Sequence, residues 1–162
     1  MITRSYNINS KFVFAVFLLL LIWIFLAIMD PVLMYEYPFA ANTIHDIYAP
    51  VCHQIPARSF QINSYPMGFC VRCFGFYLSG MVILFYYLFR QQIKIFPIYV
   101  YVLFTVPLLC DFAFEKLDFY HELILVRFLT GGLLGLSLFH LFIVSLSTRE
   151  DVFDLITEKM HG

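Results

Sequence analysis

Four stretches of this 162-residue chain are too apolar and too long to bury one another in a single soluble core. Crossing about 30 Å of hydrocarbon takes roughly 20 apolar residues in a helix. Residues 12–30, 68–89, 95–113 and 123–147 meet or approach that length. The first carries 18 uncharged residues from Phe12 to Met29 and stops at Asp30-Pro31. The second runs from Gly68 to Phe89 with Arg72 as its only charge. The third, Ile95 to Cys110, has 16 residues and reaches spanning length only when Asp111 and Phe112 to Phe114 continue it. The fourth runs from Leu123 to Thr148 and carries Arg127 near its start. With 62% hydrophobic residues and a mean hydropathy of +0.83, the chain needs a bilayer as its solvent. The pattern predicts an all-α integral membrane four-helix bundle, one multi-pass domain over residues 1–162.

The first span exceeds the about 7–15 apolar residues of a signal-peptide core, and no Ala-x-Ala site follows it, so it reads as an uncleaved anchor. Net charge is −1 and there is no Lys/Arg-rich run, which removes the electrostatic footprint of a nucleic-acid binder. The bilayer is the expected partner; protein partners are not specified, and a homo-oligomer stays open.

Orientation follows from the basic residues. With a cytoplasmic N-terminus, Arg4, Lys11, Arg90, Lys94, Arg149 and Lys159 lie inside, and Arg58 and Lys116 outside. This places both termini in the cytoplasm and the protein in the cell's inner (cytoplasmic) membrane, with a long outer loop over 31–67 and a tight inner turn at Arg90 to Lys94. The tail, 149–162, sets Val152, Phe153, Leu155 and Ile156 among acidic residues, the pattern of a short amphipathic helix on the inner surface or against a partner.

That topology gathers the unusual residues at one boundary. The loop delivers Cys52 and His53, the second span begins with Cys70 and Cys73, and the third ends at Cys110 and Asp111. A Cys-x-x-Cys at a helix start places two sulfurs within reach of one ion, and a distant Cys or His can complete a tetrahedral set. The candidate ligands are Cys52, His53, Cys70 and Cys73. Zinc or copper suits soft sulfur with imidazole. Adjacent residues of an extended chain point to opposite sides, so Cys52 and His53 share an ion only if the backbone turns at Ala49-Pro50-Val51 or is helical. Otherwise His53 supports a ligand or faces a substrate.

Two other readings stay open. The helix N-terminus and Arg72 favour a thiolate, so the Cys70/Cys73 pair also suits a quinone-linked thiol–disulfide oxidoreductase. Such a pair on four spans looks like the quinone-coupled membrane thiol oxidases, which use a second cysteine pair where this loop offers Cys52 alone. Structural cysteines in a scaffold protein are the third reading, and for Cys110 packing is the preferred one. Covalent haem attachment fails, because Phe74 rather than His follows Cys73.

Arg127 in an apolar helix must face the bundle interior, with Asp111 as the partner at matching depth. The pair serves either function or structure. Arg58 in Pro56-Ala57-Arg58-Ser59 either caps the loop or binds an anion or lipid head group. Arg72 and His121 are auxiliary candidates, as are His45 and Asp46 as further ligands, and His140 reads as a hydrogen-bonded helix contact. Gly131 to Gly135 forms a Gly-x-x-x-Gly face, matched by Gly75 and Ser79 on the second span.

Cys52-His53-Gln54 with Pro56 and Arg58-Ser59, then Cys70-x-Arg72-Cys73 with Gly75, Tyr77 and Gly80, resembles the domain-of-unknown-function 2085 family of small membrane proteins. Pro107 and Asp111, and Arg127-x-x-Thr130-Gly131 with Gly135, look like its later motifs. The likeness runs from about residue 45 to 140; the family pattern favours Thr at the position of Phe74 and Gly at that of Phe112. The resemblance implies a multi-pass prokaryotic membrane protein and supplies no reaction.

Overall fold

A computed structural model of the chain describes residues 5–7, 9–90, 92–117 and 123–161. Five helices carry the architecture: α1 (Ser10–Leu33), α2 (Pro38–Tyr48), α3 (Val71–Phe89), α4 (Ile98–Lys116) and α5 (Ile124–His161). Four are long and apolar enough to cross a membrane, α5 through its Ile124–Ser147 part. Asn9 caps α1 by accepting the Phe12 amide, and Pro31 falls in the helix's last turn beside the buried Asp30.

Antiparallel pairing fixes which ends lie together. Strand β1 (Ser5–Asn7) pairs with β4 (Gln92–Lys94), Ser5 opposite Lys94, so the start of α1 and the α3–α4 connection share one end of the bundle. A small hairpin, β2 (Gln61–Ile62) with β3 (Tyr65–Pro66), belongs to the opposite end. There the Gly68 amide donates to Ala27 in α1. Alternating helix direction therefore places the end of α1, the start of α3 and the end of α4 at one level.

Close packing of α3 on α5 forms the bundle's spine. Glycines make the approach possible: a Cβ on Gly75 would strike the Phe128 carbonyl, and one on Gly131 the Arg72 carbonyl. α1 packs on α3, α4 on α5, and α2 folds back on α1. Outward faces are apolar, with Leu19, Phe25, Leu103 and Leu125 exposed, whereas Asp30, Asp111, Arg127, Thr130 and His140 are buried. Polar inside and apolar outside is the distribution that hydrocarbon imposes.

Two local features differ from the sequence reading. The 31–67 segment contains α2, started by Pro38 at its first position and packed through Ala41 and Tyr48. The tail continues α5 to His161 instead of forming a separate helix, because no Gly or Pro interrupts the chain after the span.

Candidate metal centre

Aromatic packing builds the floor of the site. Tyr48 donates to the Trp23 carbonyl at 2.6 Å, stacks edge-on against Trp23 and Phe69, and is fully buried. Burial pushes its phenol up to about 12, so it remains a donor at any ordinary pH. This anchor seats the end of α2 on α1. The chain then turns, with the Val51 and Cys52 amides both donating to the Tyr48 carbonyl, which aims the Cys52 sulfur inward. Gln54 adopts a left-handed backbone, φ 49°, and its side-chain amide donates to His45 and Gly68 carbonyls at 2.7 and 2.9 Å. The loop is thereby tied to the segment entering α3.

Three sulfurs meet where these segments join. Cys52, Cys70 and Cys73 hold their Sγ atoms within 4.8 Å of one another. The Cys70 and Cys73 sulfurs are 3.6 Å apart, and the Cys70 amide donates to the Cys52 sulfur at 3.1 Å. Tetrahedral zinc with bonds of about 2.3 Å sets its sulfurs about 3.8 Å apart. All three cysteines are free thiols, Cys52 buried and the other two half-buried. The Cys52 thiol is raised above its usual range, chiefly by its bond to Cys70.

His53 is not part of this group. The backbone does turn at Ala49-Pro50-Val51, yet His53 is exposed and lines a neighbouring cavity, as neighbours with opposed side chains must. That cavity, about 270 Å³, is lined by His53, Arg58, Cys70, Arg72, Cys73 and Arg127, with Ile55 and Phe112 as apolar walls. Arg72 also lies over the Phe112 ring, 5.1 Å from its centroid.

The buried charges pair differently from the sequence expectation of Asp111 with Arg127. Arg72 binds Asp111 through both Nε and Nη2, the Nε contact at 2.8 Å, and also reaches Glu115 at 2.8 Å. Glu115 takes Arg58 at 2.6 Å and stands 3.5 Å from Arg127. Thr130 donates to Asp111 at 3.4 Å. Arg127 thus joins the network through Glu115. The signal for Glu115 was its spacing: four residues beyond Asp111, it shares that helix face.

Other candidates fall elsewhere. His45 bonds through Nδ1 to Asp30 at 2.9 Å and is not part of the three-sulfur group. Cys110 is exposed on α4, outside the cluster and turned away from the interior that its neighbour Asp111 enters. His121 lies outside the described residues. His140 bonds Tyr101 at 3.0 Å near the opposite end of the bundle, as a helix contact should.

Residues 52–141, more than half of the chain and the segment holding the three clustered cysteines and the Arg58, Arg72, Asp111, Glu115 and Arg127 network, match the family described as predicted membrane protein (DUF2085). The chain belongs to that family. It is 28% identical over 102 residues to an uncharacterized protein of Methanocaldococcus jannaschii, a match covering 61% of this chain and 65% of the relative's length. No solved structure matches it.

Proposed function

We propose that this DUF2085 protein binds one transition-metal ion, zinc or copper, through Cys52, Cys70 and Cys73 at the outer boundary of the cytoplasmic membrane, with both termini in the cytoplasm. The observation that carries the reading is the convergence of three free sulfurs from two separate segments, with a 3.6 Å edge suited to a tetrahedral ion. Three protein thiolates leave a fourth position for a non-protein ligand, and Cys70 and Cys73 open onto the cavity. Lys11, Arg90 and Lys94 at the strand-bearing end supply the positive bias that favours this orientation. Elemental analysis beside thiol trapping is the test: a stoichiometric ion is expected, lost together with trapping protection in each Cys→Ser variant.

One observation favours a second reading. At 3.6 Å, Cys70 and Cys73 are close enough to form a disulfide after a small rotation, and Cys70 sits at the N-cap of α3, where the helix dipole favours a thiolate. A quinone would accept two electrons and two protons as the disulfide forms. Metal-free protein with a reversible Cys70–Cys73 disulfide would select this reading.

A further inference from the structure

The cavity beside the thiols is built for a negatively charged occupant. Three guanidinium-bearing residues from three segments line it: Arg58 from the loop, Arg72 from α3 and Arg127 from α5. Their side chains range from 33% exposed at Arg58 through 16% at Arg72 to 4% at Arg127, so the positive lining runs from the mouth inward. Asp111 and Glu115 hold these arginines in place, yet neither carboxylate is among the described residues lining the cavity. The start of α3 adds to the field: its first turn has no acidic residue, and Cys70 occupies its N-cap. His53 contributes a further ring nitrogen at the wall.

Resting on the three-thiol metal reading, we infer that this cavity takes a phosphate-type oxyanion, gripped by Arg58, Arg72 and Arg127, with one oxygen at the metal's fourth position. Guanidinium forks match the several oxygens of a phosphate group. The anion displaces solvent from the metal, and no bond within it is broken. The cavity lies where α3 and α5 begin and α4 ends, so the group arrives either free from the aqueous side or as the head of a phospholipid.

Cobalt-loaded full-length protein in phosphate-free, lipid-free detergent tests the inference. Sulfur-to-cobalt charge-transfer absorption reports the metal, and the visible ligand-field bands report the fourth ligand. Saturable movement of the visible bands on adding inorganic phosphate supports a free anion. Movement only with a short-chain phosphatidic acid supports a lipid head group. Arg58→Gln and Arg127→Lys should retain the charge-transfer band while weakening half-saturation by about tenfold. Should Arg127→Lys fail to fold, the surface-accessible Arg58→Gln decides alone. A charge-transfer band with visible bands indifferent to both probes, or variants that bind as the parent does, overturns the inference and leaves the metal site standing. Absence of the charge-transfer band removes both.

Discussion

The two ends of the bundle bury polar groups in different ways. At the thiol end, Arg72, Arg127, Asp111 and Glu115 form a charged network beside a cavity of about 270 Å³ that also exposes two sulfurs. At the strand end, a cavity of about 790 Å³ is lined by Tyr86, Tyr87, Phe89, Phe96 and His140 together with Arg90, Gln92 and Lys94. His140 is wedged there among the Tyr87, Phe96 and Tyr101 rings. The larger space has the poorer chemistry. A single imidazole bonded to a phenol needs little to hold it, whereas charges in an apolar bundle persist only in networks, and here the network brackets a thiol cluster.

The sharpest contrast between the ends is metal retention. Cys52→Ser, Cys70→Ser and Cys73→Ser should each reduce bound metal from stoichiometric to trace, by mass spectrometry of the purified protein, while His140→Phe leaves it unchanged. Next in size, Asp111→Asn should lower stability by about 3 kcal/mol in detergent unfolding, because Arg72 loses the negative charge of its most buried ion-pair partner while Glu115 remains. Gly131→Ala should cost about 1–3 kcal/mol by pushing α3 from α5 at the Arg72 carbonyl. His140→Phe should cost about 1 kcal/mol for the lost Tyr101 bond. His53→Ala should leave both metal content and stability unchanged. Loss of the ion in that last variant would make His53 a ligand and redraw the site.

Much of this layout is written in the apolar spacing of the chain. Four spans in alternating direction are enough to bring Cys52, Cys70, Cys73, Asp111 and Arg127 to one end, because a bilayer permits few alternatives. Gly75, Gly131 and Gly135 announce the α3–α5 contact, since small residues at this spacing allow backbones to touch. Partner choice within the network was not legible. It depends on the rotation of each helix about its axis, which puts Arg72 rather than Arg127 against the Asp111 carboxylate. Nor did the sequence reveal α2, an 11-residue helix whose place is fixed by the distant Trp23–Tyr48 contact. The separation of His53 from the three sulfurs was half visible, in the rule that neighbouring side chains of an extended chain diverge.

X-ray absorption at the metal edge of zinc-loaded protein tests the central proposal most directly. Three sulfur scatterers at about 2.3 Å with one lighter atom are predicted. A shell of nitrogen and oxygen alone, or failure to load while Cys70 and Cys73 form a disulfide, would contradict it.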